Sequence, residues 1–359
     1  MASSKTVADR RANPAMVAMM EAKPLVSVRD LRVCFATREG AVHAVNGVSF
    51  DLIPGQVLGV LGESGSGKSV MLRALMGLLP KSRTRVEGEM HVAGRDVSRL
   101  TEAEMAALRG RTVAMIFQEP MLALDPIYTI GEQIEETIVR HEGIPHQAAR
   151  VRALELLEMV QIPGGARRLK AYPHEMSGGM RQRARIAIAL SCRPTVLLAD
   201  EPTTALDVTV QIQILLLLRK LQRELGMAVI FVTHDVGACV EIADRLAVMY
   251  GGRFVETGPM EAVIRAPRHP YTQGLLASTV HGSFRNHRLE AIPGMPPILS
   301  DRAMGCAFAP RCRYAEDRCF VTDPAEHRFA QDHAACCLRA SDGSLPAALP
   351  DRPSVTPAG

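Results

Sequence analysis

Gly62-Glu63-Ser64-Gly65-Ser66-Gly67-Lys68-Ser69 is the stretch on which the reading of this chain turns. It has the pattern GxxxxGK[ST], preceded by the apolar run Val57-Leu58-Gly59-Val60-Leu61 and followed by a helix-like pattern over residues 69–79. Strand, glycine-rich loop and helix in that order make a cradle for phosphate. The glycines let backbone N–H groups turn inward on an anion, and the helix start adds a favourable partial charge. Lys68 has the reach for β and γ phosphates, and the Ser69 hydroxyl is a ligand for Mg²⁺. A glycine-rich turn before a helix is the bland alternative, and the flanking pattern disfavours it. The loop is expected to bind a nucleoside triphosphate.

Outward from the loop, residues 56–61, 112–117, 195–199 and 228–232 are continuous apolar stretches of strand length. Strands without polar alternation are buried on both faces, as in the parallel sheet of an α/β protein. The strand Val196-Leu197-Leu198-Ala199 ends in Asp200-Glu201, and such a sheet places its ligands at strand ends of this kind. Asp200 can hold Mg²⁺, and Glu201 can orient the attacking water or take its proton. An Asp-Glu strand end would mean little alone; beside the phosphate loop it completes a hydrolytic site. Residues 118–177 turn helical, with periodic segments over 130–142 and 146–160, which predicts an inserted helical subdomain at about 119–180.

The 359 residues exceed one average domain. Hydrophobic residues make 47% and charged residues 22%, so a sizeable core can be buried; with 4% aromatics and no Trp, that core must be aliphatic. The net charge of +4 is too small and too evenly spread for a nucleic-acid footprint. No apolar run reaches the length of a membrane span, and residues 1–23 lack the features of a secretory signal, so the chain reads as cytosolic. Residues 1–23 and the Pro- and Ser-rich 341–359 are expected to be tails without fixed structure.

Met176-Ser177-Gly178-Gly179-Met180-Arg181-Gln182-Arg183 lies shortly before the Asp-Glu strand. It resembles the LSGGQ signature of ATP-binding cassette (ABC) ATPases, with Met at the first and last positions. Further marks follow the family's order: Gln118 after a strand, Ala205-Leu206-Asp207 after the Asp-Glu pair, and His234 after the strand at 228–232. Phe35 stands where the family stacks an aromatic ring on adenine. The resemblance covers residues 24–266. It implies that Gln118 touches Mg²⁺ and the attacking water, and that His234 meets the γ-phosphate. It also implies that Ser177, Gly178 and Gly179 serve the ATP of a second cassette, with Asp207 near that seam. Met180, His269-Pro270-Tyr271-Thr272, Leu275-Leu276 and the run over 292–297 resemble the oligopeptide, dipeptide and nickel permease branch, whose extension would occupy 267–340. The branch implies an importer of peptides or similar solutes at the cytoplasmic face of the inner membrane. Its partners would be a second cassette, identical or paralogous, two transmembrane permease subunits and an external binding protein, with no nucleic acid. A soluble ABC ATPase acting on nucleic acid or ribosomes is the alternative. Those usually carry two cassettes or a long coiled coil, and this chain has neither.

Five of eight cysteines crowd into 32 residues: Cys306, Cys312, Cys319, Cys336 and Cys337. In a cytosolic setting disulfides are disfavoured, so the cluster points to thiolate ligands for an iron–sulfur cluster or Zn²⁺, with free thiols a further reading. Some ATPase subunits of the resembled branch carry a [4Fe–4S] cluster, and their motif ends in Ala-Cys-x-Leu. That matches Ala335-Cys336-Cys337-Leu338 and makes Cys336 the expected fourth ligand after Cys306, Cys312 and Cys319. Cys34, Cys192 and Cys239 sit in apolar contexts and are expected in the core.

Overall fold

The computed structural model describes residues 23–38, 40–118, 124–278, 291–297 and 304–346. Most of the expected N-terminal tail, residues 119–123 and the expected C-terminal tail past residue 346 lie outside them. The described strands are β1 Val26–Thr37, β2 Gly40–Leu52, β3 Val57–Leu61, β4 Thr84–Val92, β5 Arg95–Asp96, β6 Val113–Ile116, β7 Val196–Asp200, β8 Ala228–Thr233, β9 Arg245–Tyr250, β10 Arg253–Pro259, β11 His327–Ala330 and β12 His333–Ala335. The four apolar runs singled out in the sequence are β3, β6, β7 and β8.

Those four strands and β9 are parallel neighbours in the order β9-β3-β8-β7-β6. Every residue of β3, β6, β7 and β8 is buried, because both faces of the sheet are covered. Val57, Leu61, Leu197, Ala199, Val229 and Phe231 face a core shared with helices Ile130–Glu142, His146–Met159, Gly178–Leu190 and Val208–Leu225. Leu58, Val60, Val196, Leu198, Ile230 and Val232 face a second core, built with β1, β2, β4 and helix Lys68–Leu75. Alternate side chains thus serve opposite cores.

Register aligns the strand ends that carry the site. Leu61 pairs with Thr233, Asp200 with Val232, and Ile116 with Ala199. The residues just beyond β3, β6, β7 and β8 therefore emerge side by side at the sheet's carboxyl edge, the edge at which open α/β sheets bind ligands.

The sequence left two features unread. Strands β1, β2, β4 and β5 form a separate four-stranded antiparallel sheet. Beyond residue 266, where periodicity fades, the chain turns back as β11 and β12 and extends the main sheet through β10, Glu256 pairing with Ala335. Glu256 is buried at this join. Its carboxylate accepts from the backbone N–H groups of Arg268 (2.7 Å) and His269 (2.8 Å) and lies 2.8 Å from His333 Nε2. The region expected as tail from residue 341 begins with the end of a short helix, Leu338–Ser341. Cys192 and Cys239 are buried as expected, whereas Cys34 is only half-buried on β1.

Candidate functional site

The phosphate loop leaves β3 and enters helix Lys68–Leu75 through Gly67, whose φ of +104° is open to glycine alone at little cost. A Cβ on Gly67 would come within 2.2 Å of the Ala44 carbonyl oxygen, and one on Gly62 within 2.3 Å of Met249 O. Close backbone approach from β2 and β9 thus explains both glycines. Lys68 is buried and donates from Nζ to the carbonyls of Gly62 (2.7 Å) and Glu63 (2.9 Å), and burial lowers its pKa. Gly65 bends the loop at φ +78° between Ser64 and Ser66.

Ser69 donates its hydroxyl to Asp200 Oδ1 at 2.8 Å, linking the loop to the end of β7. The other oxygen, Oδ2, is buried without a hydrogen-bond partner among the described residues. Burial pushes the Asp200 pKa up, opposed by the Ser69 hydrogen bond. A buried carboxylate oxygen with nothing to satisfy it, beside a serine hydroxyl, suits a hard cation such as Mg²⁺.

Glu201 follows in the left-handed region at φ +45°, a conformation that costs a non-glycine residue free energy and recurs at functional sites. The turn aims its carboxylate at the neighbouring strand ends. Oε2 accepts from Gln118 Nε2 at 3.1 Å and from the Thr204 hydroxyl at 2.9 Å, and His234 Nδ1 lies 3.3 Å away. Glu201 is buried while His234 is 59% exposed, so the histidine can swing toward a ligand without disturbing the core. Gln118, Asp200, Glu201, His234 and the phosphate loop thus gather at one edge.

Phe35 lies on β1 beside Val70 and Arg73 of the phosphate-loop helix, in a cleft of about 370 Å³. Ser177, Gly178 and Asp207 are exposed. Ser177 caps helix Gly178–Leu190, accepting from Met180 N, and Asp207 caps helix Val208–Leu225, accepting from Val210 N. Gly179 packs where an added Cβ would meet Val210 at 2.8 Å. No hydrogen bond joins these signature residues to the phosphate loop among the described residues.

A model of the ABC transporter family matches residues 45–204, and one of the oligopeptide/dipeptide transporter C-terminal region matches residues 255–319. A protein of Brucella melitensis named as a peptide import ATP-binding protein is 46% identical over 332 residues, covering 89% of this chain and 98% of that one. The chain belongs to the ABC transporter family. The oligopeptide transport ATP-binding protein OppD of Bacillus subtilis is 47% identical over 318 residues, 88% of each chain. Among solved structures, the ABC cassette MJ0796, a dimer in a post-hydrolysis state with ADP and Pi, aligns with a TM-score of 0.59 at 29% identity. It covers 66% of this chain and 98% of that one. This ABC cassette is accordingly an ATP-binding ATPase of the α/β class.

In this ABC ATPase the C-terminal cysteines gather differently from the sequence expectation. Cys306, Cys312, Cys319 and Cys337 line one small cavity of about 20 Å³ together with His269 and Phe308. Cys336 does not line it. Its backbone N–H is bonded to Val255 O beside β10, and the alternation of a chain leaving β12 sends neighbours 336 and 337 to different sides. Spacing could not distinguish two adjacent cysteines. Burial pushes the Cys306 thiol up to about 11 and raises those of Cys312 and Cys337. Among the described residues, no group of three or more His, Cys, Asp or Glu side chains stands in the arrangement that a single metal ion needs. His269 is buried, accepts from Tyr271 N at Nδ1, and leaves Nε2 without a partner among the described residues. Sequence reasoning also missed Thr204, whose signal is only its place three residues after Glu201, and Arg311, which carries no local signal.

Proposed function

We propose that this ATPase powers the uptake of peptides or similar solutes as a peripheral subunit at the cytoplasmic face of the inner membrane. The observation that carries this reading is the gathering of Ser69 with Asp200 and of Gln118 with Glu201 at one sheet edge, on a chain whose residues 255–319 match the oligopeptide/dipeptide transporter C-terminal region. No helix among the described residues is long and apolar enough to cross a membrane; in this reading the permease subunits supply the solute path. The partners are two permease subunits, an external solute-binding protein and a second cassette, identical or paralogous. The exposure of Ser177, Gly178 and Asp207, with no hydrogen bond to the phosphate loop among the described residues, supports a site completed by that second cassette. The similar cassette MJ0796 is itself dimeric.

In this reading Lys68 and the loop amides bind the phosphates, Phe35 stacks on the base, and Ser69, Asp200 and Gln118 hold Mg²⁺, which offsets charge on the phosphate oxygens. Glu201 takes the proton of the attacking water while Gln118 and Thr204 fix its carboxylate, and His234 contacts the γ-phosphate. Ser177, Gly178 and Gly179 present a helix start to the partner's ATP.

The finer metal reading is that Cys306, Cys312, Cys319 and Cys337 hold a [4Fe–4S] cluster, with Cys337 in the place expected of Cys336. That these four cysteines line one cavity supports this choice of donors. When bound, the cluster would cross-link the extension.

Reconstitution in vesicles with permease subunits and binding protein tests the transport reading. Peptide accumulation should require ATP and disappear with Glu201→Gln. ATPase activity stimulated by RNA or ribosomes, with no solute accumulation, would replace it with the nucleic-acid reading.

A further inference from the structure

Glu63 poses an electrostatic problem. It places a carboxylate on a loop read as binding a polyanion, and a negative charge there repels the ligand unless it is offset. The compensating charge comes from 248 residues away. Arg311 Nη1 donates to Glu63 Oε2 at 2.6 Å and Nη2 to Oε1 at 3.1 Å, a two-pronged pairing. The guanidinium is 5% exposed and has no freedom to leave. Its Nε donates to Pro293 O at 2.8 Å and its Nη1 also to the Tyr250 hydroxyl at 3.3 Å. Tyr250, Tyr271 and Phe308 pack ring against ring beside it, with centroids 4.5 to 5.3 Å apart.

Glu63 is held through its backbone as well. Its N–H donates to the Tyr271 hydroxyl at 2.9 Å, while its carbonyl accepts from Lys68. One residue of the phosphate loop is thus pinned by Arg311 and Tyr271 on the outside and by Lys68 on the inside. Both outer residues lie beyond the 45–204 segment that matches the ABC transporter family, so nothing in the hydrolytic motifs accounts for them.

We propose that Arg311 and Tyr271 of the C-terminal extension are positioning residues of the ATP site: Arg311 neutralises Glu63, and Tyr271 fixes its backbone so that the loop can accept the triphosphate. The extension is then part of the nucleotide site as well as an appendage. The proposal rests on the phosphate loop being the ATP site.

The test measures Mg-ATP affinity and steady-state kinetics on the full chain in its assembly, for Arg311→Gln, Glu63→Gln, the double variant and Tyr271→Phe. Arg311→Gln leaves the Glu63 carboxylate without its counter-charge on the loop that takes the anion, so Kd and KM for ATP should rise about tenfold, with a much smaller change in kcat. The double variant removes that carboxylate and should recover most of the lost affinity, which a merely structural loss would not do. Tyr271→Phe should weaken ATP binding less, because it removes one hydrogen bond and no charge. Affinity unchanged in a folded Arg311→Gln protein, or a double variant as weak as Arg311→Gln, overturns the proposal. If Arg311→Gln does not fold, Arg311→Lys serves, with partial loss of affinity expected and recovery on adding Glu63→Gln. A wild-type chain that does not bind Mg-ATP defeats the underlying reading instead.

Discussion

Gln118 donates its Nε2–H to Glu201 Oε2 across 3.1 Å, which ties the end of β6 to the end of β7. The same oxygen receives the Thr204 hydroxyl, so the carboxylate is oriented before any ligand arrives. Replacing Glu201 by Gln keeps the shape and removes the proton acceptor. ATP binding should persist while hydrolysis falls at least about a hundredfold, the size expected for losing a general base. Single-turnover measurement in the purified assembly decides; wild-type turnover would strip Glu201 of that role.

Gly67 and Gly62 make a second prediction because the obstruction at each is backbone, which cannot step aside. Gly67→Ala must push its methyl into Ala44 O while holding a left-handed φ, and Gly62→Ala meets Met249 O. Each should lose ATP binding, and Gly67→Ala should also cost roughly 1–3 kcal/mol of stability. Gly143 is the control. It has φ +70° with nothing within 4 Å of an added Cβ, so Gly143→Ala should cost about 1 kcal/mol and leave ATPase activity unchanged. Thermal melts with nucleotide-binding assays separate the three.

The parallel core was legible because β3, β6, β7 and β8 are buried on both faces and so read as unbroken apolar runs. The antiparallel sheet was not. Strand β1 alternates up to Asp30, where φ turns to +46° and the register with β2 and β4 shifts, and resumes out of phase at Leu31, which breaks the period-two signal. Lys68, Ser69, Asp200 and Glu201 could be placed because each follows a recognisable strand. Arg311 could not, since its partner Glu63 is brought to it only by the return of the chain across the sheet. Cys336 and Cys337 show a different limit: spacing narrows a ligand to a pair, and only the direction of the backbone separates the two.

The cavity makes a prediction about that pair. If Cys337 completes the donor set, Cys337→Ser should abolish iron and sulfide content after anaerobic purification, while Cys336→Ser should retain both. Loss of iron only in Cys336→Ser would restore the first assignment, and zinc without iron in the wild-type protein would exclude the cluster. The four thiols must shed their protons to bind, and burial raises the pKa values of Cys306, Cys312 and Cys337. Loading should therefore improve as pH rises.

Glu256 makes the last prediction, on what attaches the extension to the cassette. Both carboxylate oxygens are spent inside the protein, on two backbone N–H groups and on His333. Glu256→Ala leaves the buried His269 N–H and His333 without that acceptor and opens a gap between β10 and β12, at a cost on the order of 3 kcal/mol. The parallel core keeps its own contacts, so the loss should be local: the extension should melt before the cassette and become open to protease between β10 and helix Pro270–Ala277. Because Arg311 and Tyr271 ride on that extension, ATP affinity should fall together with its melting. A Glu256→Ala protein that unfolds in one transition at the wild-type temperature, with wild-type ATP affinity, would show that the carboxylate clamp does not hold the two parts together.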